Sequence, residues 1–101
     1  MGTAAYASSK GAVLALTKNA ARSLAASGLS VNCVAPGPTL TPMLEPAWQD
    51  PAKRARVEAM TAQNRTAAPE EIANSIAFLL SPQASNVTGA TLVSDGGLVM
   101  Y

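Results

Sequence analysis

The chain has 101 residues, which is long enough for one small domain and too short for two. Its net charge is +1, and the charged residues, 13 % of the total, are scattered singly or in short pairs. This pattern disfavours a nucleic-acid partner. The longest uninterrupted apolar run, residues 76–80, is far too short for a bilayer span, so no membrane partner is expected.

The chain contains one cysteine, Cys33, and no histidine. A disulfide within the chain is therefore excluded, and a reducing cytoplasm is the simplest location. Without histidine, Ser-His and Cys-His nucleophiles and imidazole metal sites are excluded within this chain, and no metal site is predicted. Because Cys33 lies in a strand-like segment, we expect it to be a small buried core residue.

The first predicted element is a helix over residues 4–27, which are rich in Ala and Leu, and Gly28 should end it. At about 100° per residue, Tyr6 and Lys10 lie on one apolar face, one turn apart. A nearby cation favours the ionised form of a phenol, so Tyr6 would exchange a proton nearer neutral pH. Alternatively, Lys10 extends to solvent along its neighbours and Tyr6 is an interfacial aromatic residue.

Two strands and two further helices are predicted after Gly28. Residues 29–35 are apolar on nearly both faces, as in a parallel strand covered by helices, and residues 90–94 form the second strand. Helices over residues 51–62 and 69–80 each have a proline in the first turn. Because helices connect the two strands, the strands should be parallel and the fold class α/β.

Residues 37–50 form a long loop interrupted by prolines, and the loop carries Met43, Leu44 and Trp48. Long loops with apolar side chains are often lids or binding loops. Alternatively, Trp48 only anchors the loop to the body of the protein. In the last helix, Glu70 and Glu71 suit the positive end of the helix dipole better than a catalytic role.

Five segments occur in a characteristic order. They are Tyr6-x-x-x-Lys10, Val31-Asn32-x-Val34-x-Pro36-Gly37, Thr41, Pro-Glu-Glu-Ile-Ala at residues 69–73, and Thr-Gly-x-Thr-Leu-Val-x-Asp-Gly-Gly at residues 88–97. Together they resemble the carboxy-terminal part of a short-chain dehydrogenase/reductase. The resemblance implies that residues 1–101 are the C-terminal fragment of a single Rossmann-type domain. Such a domain is a doubly wound parallel sheet, here represented by two strands and about three helices, with its N-terminal half absent.

The resemblance implies an NAD(P)-dependent oxidoreductase that transfers hydride between NAD or NADP and a small-molecule carbonyl or alcohol substrate. Tyr6 matches the family's general acid/base, and Lys10 matches the lysine that holds the nicotinamide ribose and assists the tyrosine. Both positions therefore contribute to catalysis and to cofactor binding.

The resemblance also assigns roles to the segment after the first strand. Pro36 and Gly37 match the turn against which the nicotinamide packs, and glycine there permits close approach of the backbone. Thr39 occupies a position, usually aliphatic, whose backbone meets the carboxamide, and Thr41 matches a threonine that contacts the carboxamide or a phosphate. The loop with Met43, Leu44 and Trp48 matches the variable substrate-binding region.

The seven glycines form no Gly-x-Gly-x-x-Gly turn, and the family's catalytic serine would precede Met1. We therefore expect a longer parent enzyme and a chain that is inactive alone. The resemblance also implies that the parent is a homodimer or homotetramer. The alternative is a noncatalytic association module that binds itself or an intact subunit of the family. It follows from the likeness of the long helix and the last helix-strand unit to the family's oligomerisation elements.

Overall fold

The computed structural model describes residues 3–42 and 45–98. Its α-helices and strands occur along the chain in the order α1 (Thr3–Leu24), β1 (Cys33–Pro36), α2 (Pro51–Ala59), α3 (Pro69–Leu80) and β2 (Thr91–Ser94). The chain divides into two compact units, residues 1–33 with 79–92 and residues 34–78 with 93–101. The predicted α/β class with three helices and two strands is confirmed.

The two strands form one sheet and run in the same direction. The N–H of Cys33 donates to the carbonyl of Ala90 at 2.9 Å, and the N–H of Gly37 donates to the carbonyl of Ser94 at 3.0 Å. From the first of these hydrogen bonds to the second, the chain advances by four residues along both strands in the same direction, which is the register of a parallel pair. The prediction of parallel strands joined by a helical crossover is therefore confirmed.

In the first unit, helix α1 ends as the sequence predicts. Its last turn tightens into a 3₁₀ helix over Ala25–Ser27, and Gly28 follows in the left-handed conformation with φ 78°. Burial begins only in the second half of the helix, at Thr17 and Ala21, whereas residues 4–16 are exposed. The face that carries Tyr6 and Lys10 is thus open in the described structure.

The first strand begins at Cys33, four residues later than predicted. Before that point the pairing is only partly backbone to backbone, with the N–H of Gly89 donating to the carbonyl of Val31 at 2.7 Å. Asn32 supplies the rest from its side chain: it donates from Nδ2 to the carbonyl of Val87 at 3.1 Å and accepts the N–H of Ala90 at 3.0 Å. The N–H of Val31 donates to the hydroxyl of Thr88 at 3.1 Å. Cys33 itself is half-buried, not fully buried as expected.

In the second unit, the start of α2 and both ends of α3 lie at the predicted residues. Asp50 caps α2 by accepting the N–H groups of Ala52 at 3.0 Å and Lys53 at 3.4 Å. Helix α2 ends at Ala59, three residues earlier than predicted, and a short 3₁₀ helix, Glu45–Gln49, interrupts the predicted loop.

The described elements bury few side chains. Among the side chains that the structure describes (residues 4–42, 45–46 and 48–98), the buried ones are those of Thr17, Ala21, Thr61 and Ala84. Large apolar side chains lie open instead, with Leu80 81 % exposed and Leu16 66 % exposed. Two strands seldom sustain a sheet alone, and exposed apolar faces of this kind are typical of surfaces that contact further protein.

Candidate active site

Tyr6 and Lys10 lie one helical turn apart on α1, within the first unit. The Lys10 ammonium is 5.2 Å from the centroid of the Tyr6 ring, a distance at which a cation is attracted to an aromatic face. Tyr6 is 65 % exposed, and within the described residues no carboxylate pairs with Lys10. The phenol ring and the ammonium are therefore neighbours, and both residues are exposed.

The Pro36-Gly37 turn follows β1 in the second unit. A Cβ atom on Gly37 would lie 2.7 Å from both Cα and Cβ of Asp95 and 2.9 Å from its carbonyl oxygen. Glycine at this position is therefore required by the backbone of the chain itself. The predicted close approach at this turn is that of a nicotinamide, which stays a prediction, whereas the group that approaches Gly37 within the described structure is Asp95.

Thr39 is held by hydrogen bonds on both sides. Its hydroxyl donates to the carbonyl of Gly37 at 2.9 Å. The N–H of Leu40 donates to the carbonyl of Ala67 at 2.9 Å, and the N–H of Ala67 donates to the carbonyl of Pro38 at 2.9 Å. Thr39 and Ala67 thus form an isolated parallel bridge, which fixes the backbone at the position for which the sequence resemblance predicts a carboxamide contact.

Thr41 and Trp48 line a cavity of about 410 Å³ in the predicted substrate loop, together with Leu40, Pro42, Glu45 and Gln49. Trp48 is half-buried, and the Arg54 guanidinium of α2 lies 5.5 Å from the centroid of its ring. Trp48 thus lies against a guanidinium group of the adjacent helix and beside a cavity. Its two predicted roles, substrate contact and loop anchor, both stay predictions. Met43 and Leu44 lie outside the described residues.

The sequence did not indicate an Arg65–Glu71 pair that links the segment before α3 to its first turn. Arg65 Nη1 donates to Glu71 Oε1 at 2.8 Å and Nη2 to Oε2 at 2.9 Å, while the N–H of Ala68 donates to Oε1 at 3.0 Å. The hydrogen bond from Arg65, followed by that from Ala68, lowers the pKa of Glu71 to about 2. The same pairing raises the pKa of Arg65.

We expect this pair to make stability depend on pH in acid. The ionised Glu71 carboxylate is the paired form, so its contribution is complete above its ordinary pKa of 4.5 and is lost as the pH falls through about 2. In urea unfolding, Glu71→Gln should be less stable than the unchanged chain near neutral pH, with the difference narrowing between these two pKa values. Glu70→Gln, one residue away, is the control. A pH-independent difference for Glu71→Gln would contradict the expectation.

Two further kinds of feature, a metal site and a membrane-spanning helix, are absent from the described residues. No group of three or more Cys, Asp or Glu side chains there is placed to hold a metal ion. None of the described helices is both long and apolar enough to cross a bilayer.

Known proteins resemble the chain along nearly its whole length. A family model described as enoyl-(acyl carrier protein) reductase matches residues 1–99. The chain is 44 % identical over 96 residues to 3beta-hydroxysteroid dehydrogenase 1 of Eggerthella lenta, covering 95 % of this chain and 37 % of that enzyme.

Two solved structures match as well. 4-hydroxyisoleucine dehydrogenase complexed with NADH superposes with a TM-score of 0.89 at 31 % identity, over 95 % of this chain and 40 % of that one. A protein described as a short chain dehydrogenase/reductase family protein superposes with a TM-score of 0.80 at 45 % identity, over 94 % and 37 % of the two chains. The chain spans about two fifths of the length of the relatives that it matches. With its α/β fold, its ordered motifs and these likenesses, the chain belongs to the short-chain dehydrogenase/reductase family of oxidoreductases.

Proposed function

We propose that this chain supplies the proton-transfer part of an NAD(P)-dependent oxidoreductase, and that further residues of a longer protein supply the rest of the domain. The contact between the Lys10 ammonium and the Tyr6 ring carries the proposal. It brings a titratable hydroxyl and a cation together on one helix, in a family of dehydrogenases and reductases.

The residues present suit a nicotinamide cofactor. The Lys10 ammonium has three N–H donors and no carboxylate partner within the described structure, so it is available to the two neighbouring hydroxyls of a ribose. The Thr39 backbone is fixed on both sides by Ala67, which suits recognition of a planar carboxamide. A matching relative was solved with NADH, which also supports this cofactor class.

Tyr6 is the proton donor and acceptor in this proposal. When bound, the nicotinamide supplies or accepts the hydride at the carbon of the substrate. In carbonyl reduction the Tyr6 hydroxyl gives its proton to the substrate oxygen, and in alcohol oxidation the Tyr6 oxygen takes that proton back. Lys10 provides the nearby positive charge as the phenolate develops.

The proposed substrate is a small carbonyl or alcohol compound that enters beside the Thr41–Trp48 cavity. The indole of Trp48 and the side chain of Leu40 give this cavity an apolar wall, which favours a substrate with an apolar portion. Because Cys33 is the single cysteine, a reducing cytoplasm is the proposed location.

A second candidate function is a noncatalytic association module. The exposed side chains of Leu16 and Leu80 favour it, because apolar surface of this kind also occurs where protein subunits meet. This module would bind a second copy of itself or an intact subunit of the family, and it would need no cofactor.

A chimera separates the two functions. Residues 3–101 would replace the matching part of the Eggerthella lenta 3beta-hydroxysteroid dehydrogenase, which supplies the upstream residues. We expect the folded chimera to bind NADH or NADPH and to oxidise it with a 3-ketosteroid or with one of a set of smaller ketones. The 101-residue chain alone should do neither. A chimera that folds, as judged by circular dichroism, but binds neither coenzyme would contradict the enzyme proposal. Submicromolar NADH binding by the isolated chain would contradict the expectation that the chain alone lacks a complete coenzyme site.

A further inference from the structure

The Arg65–Glu71 pair lies on the surface, so the charge attraction alone contributes little to the stability of the fold. The two side chains are 49 % and 44 % exposed, and exposed ion pairs are weakened by water and by salt. Its geometry is nevertheless specific, since each of the two terminal guanidinium nitrogens donates to a different carboxylate oxygen. A pair of this kind orients the chain on either side of it more than it stabilises the fold.

The backbone of Arg65 is also held in place, by hydrogen bonds with Thr61. The N–H of Arg65 donates to the hydroxyl of Thr61 at 3.2 Å, and the same hydroxyl is 3.1 Å from the carbonyl of Arg65. Thr61 is buried, whereas most of the described residues around it are not. Arg65 is thus hydrogen-bonded to Thr61, four residues before it, and to Glu71, six residues after it, which leaves residues 66–68 little conformational freedom.

One residue, Ala67, connects this restrained stretch to residues 38–40, the segment proposed to contact the cofactor. Ala67 lies between the two partners of Arg65 and makes both hydrogen bonds that fix Pro38 and Leu40. A cavity of about 380 Å³ lies beside the same place, lined in part by Pro38, Arg65, Ala67 and Glu71. Because open space on that side offers no packed side chains, the position of the segment depends on its hydrogen bonds.

We propose that Arg65 and Glu71 are positioning residues, which hold the backbone of residues 38–40 in place through Ala67 so that it meets the nicotinamide carboxamide. The inference rests on the proposed function for its last step. Neither side chain touches the cofactor. They restrict residues 38–40 before binding, so that these residues lose less conformational entropy when the carboxamide binds.

The first test needs no cofactor. In the full 101-residue chain, Arg65→Lys keeps the charge but loses the paired geometry. We expect amide hydrogen exchange at Leu40 and Ala67 to accelerate by about tenfold or more, while Cys33 and Gly89, whose amides bond elsewhere, keep their rates. Glu71→Gln should give the same pattern, and Arg56→Lys, an exposed arginine of α2, should change nothing. Unchanged rates at Leu40 and Ala67, or equal acceleration at all four amides, would overturn the proposal.

The second test uses the chimera described above. Arg65→Lys should raise the KM for NADH by about tenfold with a much smaller change in kcat, since the reacting groups are untouched. A rise in KM would support the proposal, and an unchanged KM in a chimera that turns over would overturn it while leaving the proposed function intact. If the unchanged chimera folds but binds no coenzyme, the proposed function fails, and with it the cofactor step of the inference. The exchange rates would still report separately whether the pair holds residues 38–40.

Discussion

Replacement of Tyr6 by Phe should abolish turnover by the chimera while leaving NADH binding almost unchanged. The substitution removes only the phenol hydroxyl, so the ring that lies 5.2 Å from the Lys10 ammonium remains. Loss of a positioned proton donor typically costs about 10² to 10⁴ in rate. Coenzyme affinity, measured by fluorescence titration, should change by less than about threefold because the Lys10 donors remain in place.

Tyr101→Phe is the matched control, because it removes the same group from the only other tyrosine of the chain. Turnover should survive that change. Activity retained by Tyr6→Phe would remove the proton role from this residue. Equal loss in both variants would point to a general effect of losing a hydroxyl.

The largest effect on stability is expected for Gly37→Ala. The added methyl would lie 2.7 Å from backbone and side-chain carbons of Asp95, and backbone atoms there cannot rotate away. We expect a loss of about 1 to 3 kcal/mol or more in the free energy of unfolding, the usual range for overpacking. Urea unfolding followed by circular dichroism would measure it.

Gly11→Ala provides a control of opposite sign. Gly11 lies inside α1, and nothing is within 4 Å of the place where its Cβ would be. Alanine is favoured over glycine in a helix by about 1 kcal/mol, so this variant should be more stable. If both variants shift stability in the same direction, the close approach of Gly37 to Asp95 does not have the proposed effect.

The sequence predicts the helices well where local signals mark both ends. Helix α3 has Pro69 at its first position and Ser81-Pro82 after its last, and its bounds agree with the prediction. Asp50 caps α2, and an aspartate directly before a helix that starts with proline is a local signal for such a cap. Such ends depend on residues within a few positions, which is why the sequence alone suffices.

Elements that depend on distant residues are predicted less well. The late start of β1 follows from Asn32, whose amide bonds to Val87 and Ala90, more than fifty residues away. Helix α2 stops early because hydrogen bonds from Met60 and Thr61 reach back only three residues, and the Thr61 hydroxyl then accepts the N–H of Arg65. No local signal in the sequence indicates either interaction.

The candidate site shows the same division. Tyr6 and Lys10 are neighbours because helical spacing places them so, and the sequence pattern alone predicts that. The start of α3 holds Ala68 where a capping side chain would serve, and Glu71 reaches back to its N–H instead. This is half of a capping box, and an acidic residue at the third helical position was the available signal. The role of Arg65 as partner of Glu71 had no such signal.

Trp48 is the only tryptophan of the chain, so its indole emission arises from a single place. That place is the wall of the cavity that Thr41 also lines, directly beneath a guanidinium group. The colour and intensity of this emission therefore follow the local polarity of the loop, without any attached dye. The protein carries a built-in optical reporter at the position where the proposed substrate would arrive.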